Sequence, residues 1–260
     1  MSSEIQMLNR AFSIIECLGN ERGSLGVTEI SEKVGIHKSS VYRILSSLTA
    51  LGYAKKSEPD GKYSLSLKFV QLSSILLGKV ELKTEAYPHM QRLANMTRQS
   101  VHLCVLHGNE AMYLEKVEAF NLMRMYSQIG RCVPLYCTGI GKMLLAGEPE
   151  DSRSRIIKNL QLEPRTQNTI TDKTLFEKEI REVAERGYAI DNMENEEGIR
   201  CIAYPIKDYT GRVIAALSAA GNADIMVGAQ MDMAQKATHR AAQLISEAMG
   251  YHERQNDCQS

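Results

Sequence analysis

The stretch that most restricts how this chain can fold runs from Val27 to Leu65. Val27, Ile30 and Val34 recur three and four residues apart, which predicts a short amphipathic helix closed by Gly35. A further helix is expected from about Lys38 to Ala50, with Val41, Ile44, Leu45 and Leu48 as its inner stripe and Gly52 ending it. Two short β-prone segments follow, Tyr53-Ala54-Lys55-Lys56 and Lys62-Tyr63-Ser64-Leu65. The Pro and Gly of the intervening Ser-Glu-Pro-Asp-Gly give the turn between them a mechanism. Upstream, Leu8, Phe12, Ile15 and Leu18 stand at helical spacing up to Gly19, so a first helix precedes these elements.

Three short helices and a two-stranded hairpin are the layout of a winged helix-turn-helix, whose helix after the tight turn enters the major groove of DNA. The inner stripe of that helix leaves Lys38, Ser39, Tyr42, Arg43 and Ser46 pointing away from the core, and with Ser40 the first four make a polar, positive helix start. Arg can fork onto guanine, Ser can bond phosphate or a base edge, and Lys and Tyr can fix the backbone. Thr28 is placed to offer its hydroxyl and neighbouring N–H groups to a phosphate, and Lys62, with Lys55 and Lys56, could add backbone contacts from the wing. Paired serines near a helix start are also ordinary capping, so the surrounding turn and hairpin carry the inference more than the charges do. Lys plus Arg and Asp plus Glu both total 31, so any nucleic-acid footprint is local rather than global.

Beyond a linker, roughly 170 residues read as an α+β region. Leu67 to Leu77 predicts a linker helix, and Leu82 to Thr97 a longer one. The period then changes to two, with strands expected over Val101–Val105, Ala111–Val117, Met123–Ile129, Ile199–Ile206 and Arg212–Ala219. Helices are expected at Ile140–Ala146, Leu175–Arg186 and Ala229–Met249. The domains expected are 1–67 for DNA binding, 68–81 as linker and 82–251 as a second domain, with a frayed tail over 252–260. The six scattered cysteines, without a C-x-x-C, fit reduced thiols. With no signal-like leader and no long uncharged apolar run, the expectation is an unexported, cytoplasmic protein without membrane contact.

VTEISEKVGIHKSSVYRILSSLTALGYAKK and GKYSLSLK near the start, with VPLYCTGIGKMLLA, RGYAIDNMENEEGIRCIAYPI and MGYH later, resemble the IclR family of bacterial transcription regulators. The resemblance covers almost the whole chain. It implies a winged helix-turn-helix, a linker helix and a C-terminal effector domain similar to GAF-type sensors. It also implies double-stranded DNA with a roughly palindromic operator, homodimers or dimers of dimers, and no cofactor. The segments around Met123 and Asn192 look most like the branch that represses pectin and sugar-acid catabolism in response to 2-keto-3-deoxygluconate. The residues themselves leave open whether the ligand releases or promotes DNA binding.

Cys-Thr-Gly-Ile-Gly-Lys (137–142) before an apolar run reads as a loop offering N–H groups at a helix start, a geometry that attracts carboxylates, or simply as a glycine turn. Asp191 begins a run dense in acid, which by default is a solvated loop, and Cys201 sits on an apolar strand, by default a packing residue. The resemblance implies more. Gly139 and Ile140 take the place of backbone donors to a ligand carboxylate, Asp191 and Cys201 line the polar side, Ser218 gives a hydroxyl, and Leu122 and Met125 form an apolar wall. Ala220 departs from the pattern, where many relatives carry a second serine. The implied ligand is a keto acid or sugar acid. Two rival classes exist. His102 and Cys104 on one strand face, with His107 nearby, could be drawn as a metal or Cys-His site, but no Asp or Glu ligand stands at useful spacing. The helix Ala229–Met249 could make this a sensor acting through protein contact, although packing on its own sheet is the default.

Overall fold

The computed structural model describes residues 3–21, 23–72, 81–118 and 127–252. They fall into two compact units divided between Val80 and Glu81. In the first unit, α1 (Ser3–Gly19), α2 (Val27–Val34) and α3 (Lys38–Ala50) precede a hairpin of β1 (Ala54–Lys56) and β2 (Tyr63–Leu65), and a helical turn covers 68–72. Leu25 bridges Tyr63 with N–H···O distances of 2.9 and 2.8 Å, so the hairpin is tied to the strand-like residue before α2. Local chemistry sets the helix ends. Glu29 Oε2 accepts the Gly26 N–H at 2.6 Å, Gly35 closes α2 at φ 65°, and His37 caps α3.

The core of this unit is Ile14, Leu18, Leu25, Ile30, Val41, Ile44, Leu45, Leu48, Ala54 and Tyr63. α1 corrects the sequence expectation. Its buried stripe runs through Ile14 and Leu18 with Ala11 and Ile15 partly covered, while Leu8 and Phe12 remain 60% and 59% exposed. Periodicity finds an apolar face on a helix; it does not tell which of two apolar stripes meets the core.

The second unit contains α4 (Glu81–Thr97), β3 (Ser100–His107), β4 (Glu110–Val117), β5 (Cys132–Pro134), α5 (Gly139–Ala146), α6 (Glu150–Asn159), α7 (Lys173–Arg186), β6 (Ala189–Asn192), β7 (Ile199–Lys207), β8 (Val213–Asn222) and α8 (Gly228–Ala248). The strands form one antiparallel sheet in the order β5-β4-β3-β8-β7-β6. α5 and α7 cover one face, where Cys104, Ala111, Ala189, Ala203 and Ala216 meet Leu135, Leu144, Leu145, Phe176 and Ile180. α4 and α8 pack on each other and on the opposite face, where Tyr204 of β7 stacks on His239 of α8 with centroids 4.8 Å apart. The small alanines let α5 approach the sheet closely. Gly147 shows how tight that approach is, since a Cβ there would come within 2.5 Å of Val213 Cβ.

The fold class is therefore α+β, a winged helix-turn-helix plus an antiparallel sheet with flanking helices. Three placements differ from expectation. Asp191 lies on strand β6 and is 4% exposed rather than in a solvated loop. A three-residue strand, Cys132–Pro134, stands after the stretch expected to be a strand at Met123–Ile129, of which Ser127 to Ile129 are irregular and the rest lies outside the described residues. Helix α6 carries only an adjacent buried pair, Ile156 and Ile157, and so left no periodic signal. Most of the linker helix and residues 253–260 also lie outside the described residues.

Candidate DNA-reading and effector sites

On α3 the buried stripe of Val41, Ile44, Leu45 and Leu48 turns Lys38, Ser39, Tyr42 and Arg43 to solvent, Tyr42 being 55% exposed. Ser39 is ordered by its neighbour, with its hydroxyl 2.9 Å from His37 Nδ1. Ser40 differs from the exposed group. It is half-buried and borders a groove of about 820 Å³ between α1 and α3, lined also by Leu8, Phe12, Arg43, Leu51 and Leu72. Arg43 thus stands at the boundary between the outward face and that groove. Thr28 is exposed in the first turn of α2, and Lys62 Nζ lies 3.8 Å from Glu29 Oε2. Helix start, helix end and wing therefore place exposed hydroxyls and cations in one unit, with Lys55 and Lys56 exposed on β1.

In the second unit the sheet and the start of α5 enclose a cavity of about 440 Å³, a size suited to a small molecule. Ile140, Asp191, Cys201 and Ser218 line it. Gly139 lies directly behind Cys201, since a Cβ there would sit 2.8 Å from Cys201 Sγ and 3.2 Å from the Asp191 backbone nitrogen. Only glycine fits, so the sequence uses it to seat the helix start against β6 and β7. Thr138 caps α5, its Oγ1 accepting the Gly141 N–H at 3.0 Å and donating to Pro134 O at 2.7 Å. Ala220 faces the cavity without a hydroxyl. Leu122 and Met125 lie outside the described residues.

Burial sets the protonation of this wall. Cys201 is pushed up to about 12 by burial, so it offers a neutral S–H. Burial likewise lifts Asp191 to about 7, against the pull of the Glu194 N–H, which donates to Asp191 Oδ1 at 2.7 Å. Behind it, the nearly inaccessible Lys142 ammonium donates to Glu194 Oε1 at 2.7 Å and Glu179 Oε1 at 3.3 Å, and Arg186 reaches Glu179 at 2.9 Å. Glu194 Oε2 is buried with no hydrogen-bond partner among the described residues. This cluster fixes the residues after β6 while leaving one oxygen unsatisfied.

Several cavity residues were not assigned to a ligand site from the sequence, His102 entering only as a rival metal or Cys-His candidate and Thr138 only within the loop 137–142. His102 lines the cavity with Nε2 3.0 Å from Ser127 Oγ and its ring 5.2 Å from that of Tyr113. Burial lowers its pKa to about 3, so it is a neutral hydrogen-bonding group at physiological pH. Its position opposite Ser218 across the β3–β8 pair is the signal that could have found it, once the strand register is known. Thr138, Arg165 and Asn195 come from irregular segments that carry no period. Among the described residues no cluster of three His, Cys, Asp or Glu side chains is placed to hold a metal, and burial raises the thiols of Cys104, Cys137 and Cys201. No helix among them is long and apolar enough to cross a membrane.

The family profile described as the IclR helix-turn-helix domain matches residues 7–58, and that of the bacterial transcriptional regulator IclR C-terminal matches 75–247. The chain is 38% identical over 244 residues to the HTH-type transcriptional regulator KdgR of Escherichia coli K12, covering 94% of this chain and 92% of that one. KdgR of Dickeya chrysanthemi is 37% identical over 94% of this chain and 80% of its own length. Among solved structures, the Thermotoga maritima IclR superposes with a TM-score of 0.79 at 32% identity, over 95% of this chain and 100% of that one. An IclR homologue from Microbacterium hydrocarbonoxydans, complexed with 4-hydroxybenzoate, shares the fold with a TM-score of 0.82 at 24% identity, over 94% and 98%. With family profiles over both of its units and these relatives along nearly its full length, the chain belongs to the IclR family of DNA-binding transcriptional regulators, not enzymes, in the KdgR-like branch.

Proposed function

We propose that this regulator represses a carbohydrate or sugar-acid catabolic operon in the cytoplasm and is released from DNA by a small carboxylate such as 2-keto-3-deoxygluconate. The observation that carries the reading is a polar cavity of ligand size at the start of α5, in the same chain as a helix with an exposed Ser-Tyr-Arg face. Lys38, Ser39, Tyr42 and Arg43 read or position DNA, with Thr28 and Lys62 on phosphates and Ser40 supporting from the flank. Ile140 N–H, Asp191, Cys201 and Ser218 hold the effector, and Gly139 keeps the helix start close enough to do so. A homologue complexed with 4-hydroxybenzoate supports a carboxylate-bearing ligand, and the KdgR relatives support the branch.

Two chains act together on a roughly palindromic operator. The apolar groove on the DNA-binding unit, where Met7, Leu8, Phe12 and Leu51 are all more than half exposed, supports pairing with a second copy. The test is a gel-shift titration with the protein's own upstream region, repeated with 2-keto-3-deoxygluconate and other keto and sugar acids. Binding that weakens steeply with salt and is abolished by one of these acids is expected. Absence of binding to that region rejects the regulator's target, and binding insensitive to the whole acid panel rejects the effector class.

A further inference from the structure

The cavity has a charge imbalance if its occupant is an acid. Asp191, Glu110 and Glu196 contribute carboxyl groups to its lining. The donors at the start of α5 are partly spent, since Thr138 takes the Gly141 N–H and the Gly139 N–H lies against Cys201 Sγ. The Ile140 N–H, the Cys201 S–H and the Ser218 hydroxyl are neutral groups, so among the lining residues only Arg131 and Arg165 bring full positive charge to meet an acid.

Arg165 stands where that deficit can be met. It lies on the irregular segment between α6 and α7, and its side chain lines the cavity. Nε donates to Tyr136 Oη at 3.4 Å and Nη1 to Asn195 Oδ1 at 3.5 Å, long contacts that orient the guanidinium without exhausting its five N–H donors. Asn195 Oδ1 also accepts from Cys137 Sγ at 3.4 Å, so one amide links the guanidinium to the residue next to the α5 cap. The backbone that carries Arg165 is held firmly. Its own N–H donates to Thr169 Oγ1 at 3.1 Å, Thr166 Oγ1 donates to Met193 O and Thr169 Oγ1 to Glu194 O, each at 2.6 Å, and Asn168 Nδ2 donates to Asn192 O at 2.8 Å. A planar, permanently charged fork on a pre-ordered loop is the arrangement that recognises a carboxylate in two-point fashion.

We propose that Arg165 determines specificity in this cavity by pairing with the carboxylate of the effector, so that the site takes acids and rejects neutral molecules of the same skeleton. The proposal rests on the effector reading of the cavity. Arg131 also lines the space, from the turn before β5, and is the natural control.

The experiment is calorimetric titration of the full chain and of Arg165→Gln, Arg165→Lys and Arg131→Gln with 2-keto-3-deoxygluconate, D-galacturonate and pyruvate, each beside its carboxamide. The parent is expected to prefer an acid over its amide. Arg165→Gln should weaken the acid roughly 10- to 100-fold, the range for losing one hydrogen-bonded charge, and leave the amide unchanged. Arg165→Lys should recover part of the preference, and Arg131→Gln should keep it. A merely structural role for Arg165 would weaken acid and amide alike. An unchanged acid-to-amide ratio in Arg165→Gln, or its collapse in Arg131→Gln instead, overturns the proposal while leaving the effector reading intact. If the parent binds no acid in the panel, both fall together.

Discussion

Asp191 is the cavity residue whose burial sets its titration nearest to neutral pH. Its pKa is lifted to about 7 by burial, while Glu194 beside it is raised by the same cause and His102 stays neutral with a pKa near 3. The sign follows from proton counting: between the ordinary carboxylate range and about 7 the folded state holds a proton that the unfolded state has lost, so stability declines as pH rises through that window. Melting of the parent should therefore fall between pH 5 and 8, and Asp191→Asn should flatten the slope while its amide oxygen still accepts the Glu194 N–H. An anionic ligand should likewise bind less tightly above pH 7, where the Asp191 charge opposes it, which titration in buffers of different ionisation enthalpy will read as proton uptake. On the DNA side, Arg43→Ala should cost about 1 to 3 kcal/mol of specific binding and leave the melting temperature unchanged, since the side chain is exposed. A loss spread equally over unrelated sequences would instead mark Arg43 as a phosphate contact.

The elements were legible in the sequence where one period dominates. α2, α3 and the hairpin are where Val27–Leu65 predicts them, because stripe, glycine stop and turn agree at each step. Strands β7 and β8 showed through their apolar runs, whereas β6 did not, since half of it is Asp191 and Asn192 and polar pairs read as loop. α1 was recognised as a helix, but of its expected apolar positions Leu18 and Ile15 meet the core while Leu8 and Phe12 do not, because the helix carries a second apolar stripe that periodicity does not separate from the first. From the residues alone only the glycine loop before α5 hinted at a site, and Ile140, Asp191, Cys201 and Ser218 came from the family resemblance; Arg165 and Asn195 sit in segments whose positions are set by hydrogen bonds such as Thr166 to Met193, which leave no periodic trace. At this scale the α5 cap is testable. Thr138→Val removes the acceptor for Gly141 N–H and should cost about 1 kcal/mol, a few degrees of melting in a domain of this size, with a matching loss of acid binding. Unaltered melting would mean that the first turn holds itself.

For the whole molecule, the exposed stripe of Met7, Leu8 and Phe12 with Leu51 makes oligomeric state and DNA affinity one question. Phe12→Glu places a charge in that groove without touching the buried core of α1, so the variant should remain folded by circular dichroism. Light scattering should show smaller particles, and operator affinity should fall by far more than any single phosphate contact explains. An unchanged particle size would show that pairing uses another surface.

Both borders of the effector-domain sheet are blunt. β5 is three residues long and ends in Pro134, which has no N–H to lend, while the chain just beyond β6 has its carbonyls at Asn192, Met193 and Glu194 taken by Asn168, Thr166 and Thr169. Among the described residues, these two positions offer little template for strand-by-strand extension from one molecule to the next. Concentrated samples should accordingly resist fibril formation, and crystallographers and engineers can alter the helical surfaces of this domain without first having to guard its margins.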